Sequence, residues 1–535
     1  MNRALLPLVL GLGLAVRLWG IGFGLPHVLA RPDELFILGA VIKMHEGNAN
    51  PGFFDYPGLY MYVVAGLYSL FYGVGLIAGW FTDSAHFVRN FALNWEPYFL
   101  LPRIAGALFG TATIAVVYAI ARQYFDRIVA VLAALFIALA FLHVRDSHYA
   151  TTDVPMTFFV VAAMLATVYV HRGRSATDAW LAGALAGCAA STKYNAVLIV
   201  LPMALVEAFH AWDNRRDWRK ALRETHIVRM AAGSILIFAL TNPYLFLDFE
   251  HAMSDLRALQ ASTAGGMTPP EMLGRGWTYH LPHSLRYGLG IPMLAAGLFG
   301  MIWMAARAPR TAAILALFPI AYYAAAGAGH NVFVRYMIPV VPFLCLFAGY
   351  VVGEIAAAMS RMSVRLREPA MAAVLAGVVV GPSAASVVQF DYLLSQPDNR
   401  LVAAGWVHEH VPAGSLIFMS GNLYGRLQLE RGPDKKYQYL DWDYRGETFT
   451  RDHRPTGELP DWIVVQRSGI PYSHISPKVE ALIKREYDLI QTFRAADLSK
   501  DNFYDIQDGF YGAFGGFDGV KRFGPNFEVY RKRDR

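Results

Sequence analysis

Cysteine is nearly absent. The chain's 535 residues include two, Cys188 and Cys345, both inside apolar runs, which excludes a disulfide framework or a cysteine-based zinc motif in the polar parts. Charge is scarce too: 16% of residues are Asp, Glu, Lys or Arg, too few for the three or four soluble domains that this length would otherwise suggest. No glycine-rich phosphate loop, Ser-His-Asp order or His-Glu-x-x-His stands where it could work, so those chemistries fall away. Internal repeats, low-complexity tracts and an obvious linker are also missing, and tandem Pro269-Pro270 marks only a loop.

What remains is apolar. Hydrophobic residues make up 55% of the chain, the mean hydropathy is +0.33, and runs about as long as the ~20 residues of a bilayer-crossing helix recur from Ala4 to Val388. The chain reads as a polytopic membrane protein. Its net charge of +6 sits in short patches between apolar runs, where Lys and Arg set membrane orientation, and carries no nucleic-acid signal. Met1-Asn2-Arg3 before an apolar run mimics a signal peptide, but no small-residue cleavage site follows, so the run is read as a retained first span.

The expected spans are 4–24, 98–121, 129–143, 154–171, 178–192, 194–210, 228–247, 286–306, 311–327, 336–358 and 369–390, about eleven in all. With the N-terminus inside, the inner connections hold Arg122 and Arg127, Arg172 and Arg174, the group Arg215, Arg216, Arg219, Lys220 and Arg223, then Arg307 and Arg310, then Arg361, Arg365 and Arg367. A twelfth span at 57–80 would invert every later loop, so that stretch is expected to be an amphipathic or re-entrant segment on the outer face. The chain then divides into a transmembrane part, 1–390, with outer loops 25–97 and 248–285, and an extracytoplasmic domain, 391–535. In the last, 401–410 and 477–485 read as helices and 415–419, 462–466 and 527–531 as strands, an alternation that predicts a small α/β unit.

Candidate chemistry collects at the outer membrane level. Arg31-Pro32-Asp33-Glu34 places two acids at a helix start just beyond the first span, and Thr151-Thr152-Asp153-Val154-Pro155 places a third at the mouth of another. Helix N-termini favour carboxylates, so capping is the plain alternative for each. Their coincidence at one level on one side points to function, because ionisable groups at membrane depth are kept for a site or pathway. Lys193, His330, Arg335, Arg103 and Arg17 sit at that level too. Each has the alternative of snorkelling to the headgroups, but together they suit a lipid phosphate. Trp95, Trp277 and Tyr279 fall in outer loops, mainly as interfacial anchors with a minority facing a sugar or substrate.

The order of these motifs resembles a known family. Arg17, Asp33-Glu34, Tyr56-Pro57, Arg103, Thr152-Asp153-Val154-Pro155, Thr192-Lys193-Tyr194, and Arg335-Tyr336 followed by Pro339 and Pro342 look like the lipid-carrier-dependent GT-C glycosyltransferases, the superfamily of protein O-mannosyltransferases and lipid A aminoarabinose transferases. The match covers roughly residues 1–350. The resemblance implies a GT-C-like fold of many transmembrane helices and a donor sugar linked through phosphate to a polyprenol. It also implies a catalytic or acceptor-binding carboxylate at Asp33. Members often carry a tyrosine shortly after the acidic pair, where this chain has Leu35-Phe36.

Transfer from a phosphate needs a base at the acceptor hydroxyl and positive charge on the leaving group. On that logic Asp33 is the base and Glu34 or Asp153 orients it or the acceptor, while Lys193, Arg335, His330 and Arg103 hold the carrier phosphate. Inversion at the anomeric carbon is expected by analogy with two-carboxylate inverting hydrolases. The expected partners are a polyprenyl-phosphate-linked sugar, a lipid, protein or glycan acceptor and membrane lipids. The residues indicate no particular cofactor; a divalent cation is left open, since two acids without further ligands do not define a site. The competing readings are a transporter or flippase for a lipid-linked sugar, though the midplane helix breaks and repeats typical of transporters are not evident, and a non-catalytic envelope assembly protein.

Overall fold

In hydrocarbon a backbone must satisfy its own polar groups, so the long Ala-, Leu- and Val-rich runs can only become helices. The computed structural model describes residues 4–265, 273–362, 367–430, 435–508 and 510–533. The loop expected at Pro269-Pro270 and the basic residue Arg365 lie outside them.

Among the described residues eight helices are long and apolar enough to cross a membrane. A ninth is added if Gly276–Leu289 and Ile291–Arg307, bent by 113°, form one broken span. The expected count of about eleven is therefore not reproduced. Leu5–Leu18 and Arg127–Ala138 have 14 and 12 residues, or roughly 21 and 18 Å of helix at 1.5 Å per residue, short of a ~30 Å hydrocarbon core. Conversely, Leu59–Ile77 is one uninterrupted 19-residue helix, long and apolar enough to span. The expectation of an amphipathic or re-entrant segment there came from counting charges in loops, which sets orientation but does not limit helix length.

Two compact units emerge, neither contiguous in sequence. One comprises 1–18, 37–78 and 101–388, and the other 19–36, 79–100 and 389–535. Within the first, small residues let helices approach closely. A Cβ added to Gly183 of Ala176–Thr192 would lie 2.2 Å from the Met230 carbonyl oxygen of Ile227–Thr241, and one on Gly187 2.7 Å from that of Ser234. Ser234 Oγ donates to the Gly183 carbonyl at 3.0 Å, a hydrogen bond across a small-residue seam of the kind membrane helices use. Arg17, fully buried, neither snorkels nor meets solvent. It donates to the carbonyls of Ile137 and Ala138 at 3.2 and 3.1 Å, satisfying the orphan C-terminal acceptors of Arg127–Ala138.

The second unit carries a sheet. Its strands are β1 (Leu416–Met419), β2 (Gln438–Asp443), β3 (Thr448–Arg451), β4 (Arg454–Pro455), β5 (Trp462–Arg467), β6 (Tyr487–Phe493) and β9 (Asn526–Lys532), while β7 (Phe503–Tyr504) and β8 (Ala513–Gly515) form a separate pair. The seven-stranded order is β4-β3-β2-β1-β5-β9-β6, with β1 parallel to β2 and β5 and the other pairs antiparallel. Strand β5 reads as a continuous apolar run because both of its faces are buried. Trp462 and Val464 face a core shared with Ala403 and Val407 of helix Asn399–His410. Ile463 and Val465 face a second core with Val479 and Ile483 of helix Pro477–Glu486.

Candidate active site

Three breaks in helical structure bring Asp153, Lys193 and Arg335 together in the first unit. Asp153 opens the helix Asp153–Gly173, where the helix dipole favours a carboxylate. Lys193 is the extended residue ending Ala176–Thr192, and Arg335 lies on the 3-10 turn Val334–Val340. Lys193 Nζ is 2.6 Å from Asp153 Oδ1 and Arg335 Nε is 3.9 Å from Oδ2. Asp153 is 1% exposed and Arg335 5%. A buried arginine and a half-buried lysine thus share one buried anion. The acid does more than occupy a favourable helix start.

Lys193 also lines a cavity of about 360 Å³ with Asp55, Tyr56, Asn195, Tyr322 and Tyr336. Its ammonium lies 5.9 Å from the centre of the Tyr56 ring and 5.1 Å from that of Tyr336, placing aromatic faces around the charge. Asn195 Nδ2 donates to the Tyr322 hydroxyl at 2.7 Å. The segment carrying Asp55 and Tyr56 is latched on both sides: the Phe54 amide donates to Asp255 at 3.2 Å, the Tyr194 hydroxyl donates to the Phe54 carbonyl at 3.1 Å, and the Gly58 amide donates to Asn242 at 2.6 Å. Burial and the neighbouring Asp255 raise the Asp55 carboxyl above its ordinary range. Beside this cavity, and sharing Tyr194 with it, lies an apolar groove of about 620 Å³ lined by Val197, Val200, Met203, Ile227, Ile235 and Phe238 among others.

The adjacent acids belong to the second unit. Pro32 and Asp33 begin the helix Pro32–Met44, and Asp33 Oδ2 lies 3.2 Å from Arg31 Nη2. Asp33 keeps 28% of its side chain exposed, whereas Glu34 is fully buried. Arg31 Nη1 meets Asp508 Oδ1 at 2.6 Å.

Of the residues singled out in the sequence, Asp153, Lys193 and Arg335 form one cluster, and Asp33 and Glu34 stand in the other unit. Arg103 is buried on the helix Glu96–Tyr124 and His330 is half-buried; neither lines the Lys193 cavity. Sequence reasoning missed Asp55 and Asp508. Asp55 directly precedes the Tyr56-Pro57 motif, which was the available signal, whereas nothing local marks Asp508. Among the described residues no group of three or more His, Cys, Asp or Glu side chains is placed to hold a metal ion.

The dolichyl-phosphate-mannose-protein mannosyltransferase family profile matches residues 100–245. No curated protein matches the chain by sequence. Among solved structures, ArnT from Cupriavidus metallidurans in the apo state superposes with a TM-score of 0.55 at 15% identity, covering 98% of this chain and 97% of ArnT. The same ArnT bound to undecaprenyl phosphate gives 0.51 at 15% identity, covering 99% and 98%. The oligosaccharyltransferase AglB from Archaeoglobus fulgidus, in complex with an inhibitory peptide and a dolichol-phosphate, gives 0.51 at 12% identity, covering 81% of this chain but 64% of AglB. The chain therefore spans less than two thirds of the archaeal enzyme and nearly all of ArnT. Its fold is the GT-C-like fold of ArnT and AglB, a polytopic helical membrane domain with a C-terminal sheet domain, as the motif order implied.

Proposed function

We propose that this protein is a membrane glycosyltransferase that moves a sugar from a polyprenyl-phosphate carrier to a hydroxyl on a protein, lipid or glycan at the extracytoplasmic face. One observation carries the reading: the cavity holding Lys193 adjoins, through Tyr194, an apolar groove. A cationic pocket continued by a greasy channel suits a phosphate esterified to an isoprenoid. ArnT and AglB have been solved with undecaprenyl phosphate and with a dolichol-phosphate, which supports the same ligand class here.

The acceptor oxygen attacks the anomeric carbon, the carbon–oxygen bond to phosphate breaks, the acceptor proton passes to Asp33, and polyprenyl phosphate departs. Charge develops on the phosphate as that bond breaks, so cations held in place beforehand by Asp153 stabilise the transition state more than the ground state. Lys193 and Arg335 have this role, whereas His330 and Arg103, which do not line the cavity, are given none. Glu34 orients Asp33, and a single displacement inverts the anomeric centre. The N-terminus is cytoplasmic and the C-terminal domain extracytoplasmic, so Ser415→Cys labels with an impermeant thiol reagent once the outer barrier is opened and Asp217→Cys does not.

The test supplies liposome-reconstituted protein with a polyprenyl-phosphate-linked sugar and with membranes from cells lacking this chain as the acceptor source. Mass spectrometry should find free polyprenyl phosphate and a glycosylated acceptor. Intact donor moved between leaflets would instead identify a flippase, and no change in donor or acceptor would identify an assembly protein.

A further inference from the structure

Arg31 is fully buried and shared between two acids. Its Nη1 lies 2.6 Å from Asp508 Oδ1 and donates to the Asp508 carbonyl at 3.3 Å, while Nη2 lies 3.2 Å from Asp33 Oδ2. Asp508 is 477 residues from Arg31 in sequence, in the connection between β7 and β8. That connection is anchored on both sides of Asp508. Asp505 and Gln507 are buried, with the Gln507 amide donating to Asp505 Oδ1 at 3.3 Å. Beyond it, the Phe510 ring packs edge-on to Phe23 at 6.0 Å and against Phe523 at 5.2 Å. Burying an ion pair is costly and adds little net stability, so what this one contributes is the fixed orientation of the Arg31 guanidinium between the two acids.

We propose that Asp508 is a positioning residue for the transfer reaction, acting on Asp33 through Arg31. By taking Nη1 with both its carboxylate and its carbonyl, Asp508 directs the guanidinium so that it meets Asp33 through Nη2. Without the Asp508 charge, Arg31 can turn both terminal nitrogens to the Asp33 carboxylate in a two-oxygen fork. That fork engages the oxygen that must take the acceptor's proton. The C-terminal domain is on this account a working part of the transfer step. The inference rests on Asp33 being the base.

The test uses the full-length protein in liposomes. Asp508→Asn keeps the side chain's shape and removes its charge. Turnover per folded molecule should fall about tenfold while the KM for the lipid-linked donor stays unchanged, and Asp508→Glu should recover part of the rate. Arg31→Lys retains the charge but has a single nitrogen on a shorter side chain and cannot meet the two acids through separate nitrogens of one rigid plane, so it should show the same loss of turnover at constant donor KM even if Asp508→Asn folds poorly. The Arg31→Gln, Asp508→Asn double variant should be no slower than Arg31→Gln alone, as expected when one residue acts through the other. Asp33→Asn is measured alongside. If it keeps wild-type turnover, the reading of Asp33 as base fails and this inference falls with it. If Asp33→Asn is inactive while Asp508→Asn and Arg31→Lys turn over as wild type per folded molecule, only the inference is overturned. Changes confined to melting temperature or folded yield overturn it as well, because they assign Asp508 a purely structural role.

Discussion

Among single residues, the buried Asp153 carboxylate stands between a buried arginine and a half-buried lysine. Lys193 pairs with Asp153 at 2.6 Å and Arg335 approaches the same carboxylate. Removing one partner of a buried pair leaves an uncompensated charge, typically a loss of about 3–5 kcal/mol. Asp153→Asn should therefore lower the thermal midpoint in detergent, and adding Lys193→Gln should restore part of it. Additive losses in that cycle would mean that the two do not interact. Lys193 was legible in the sequence because a lysine in a very short turn between apolar runs has few places to go. Its partnership with Asp153 was not, since it joins two helix ends 40 residues apart. Arg17 was legible only as a cation in an apolar run, and the Ile137 and Ala138 carbonyls that accept from it lie about 120 positions away.

Elements were easier to foresee where one physical pattern acted alone. Strand β5 stood out as a short apolar run, and the helix expected at 477–485 forms as Pro477–Glu486, with Pro in its first turn and Ser476 capping it. Strands β2 and β3 did not stand out: Gln438–Asp443 and Thr448–Arg451 mix polar and aromatic residues, and β3 is bordered outward only by the two-residue β4. The seam between Ala176–Thr192 and Ile227–Thr241 did not stand out, because small residues do not mark locally which helix they will meet. It has a sharp consequence, because a side chain at Gly183 would meet the Met230 backbone, which cannot move aside as a flexible side chain could. Gly183→Leu should separate the two helices and deform the apolar groove that both line. Overpacking of this kind costs about 1–3 kcal/mol or more. A lower melting temperature together with a raised donor KM is expected, and an unchanged donor KM in the folded fraction would remove the groove from donor binding.

For the whole molecule, the fold class and the alternation of helices and strands after residue 390 were legible, because bilayer thickness and side-chain periodicity act locally. The grouping of 19–36 and 79–100 with the C-terminal chain was not, because it depends on contacts hundreds of residues apart. That second unit carries a pH sensitivity of its own. His27 is buried beside the Arg400–Asp398 pair, the Tyr424 carbonyl and Gln428, and burial, aided by Arg400, lowers its pKa to about 3. The unfolded chain takes up this proton near pH 6.5 and the folded one does not, so stability is present above that pH and lost as the medium is acidified. The slope is about 1.4 kcal/mol per pH unit, roughly 2 kcal/mol by pH 5. Asp398 acts in the same direction at lower pH. Although burial pushes its carboxyl up, Arg400 outweighs this and holds it below its ordinary value, so its contribution is lost only once the pH falls through that depressed pKa. Melting curves from pH 7 to 4 should show the decline, and His27→Gln should flatten it between pH 6.5 and 5. A parallel decline in His27→Gln would assign the acid sensitivity elsewhere.

Under the proposed function, the cation cluster seats a carrier phosphate while Asp33 acts only in the chemical step. Equilibrium binding of sugar-free polyprenyl phosphate to the purified protein in nanodiscs tests it without requiring the acceptor. Wild type and Asp33→Asn should bind alike, and Lys193→Gln and Arg335→Gln about tenfold or more weaker, as loss of a charge-assisted phosphate contact requires. Equal binding by all four proteins, or a loss confined to Asp33→Asn, would overturn this division of roles.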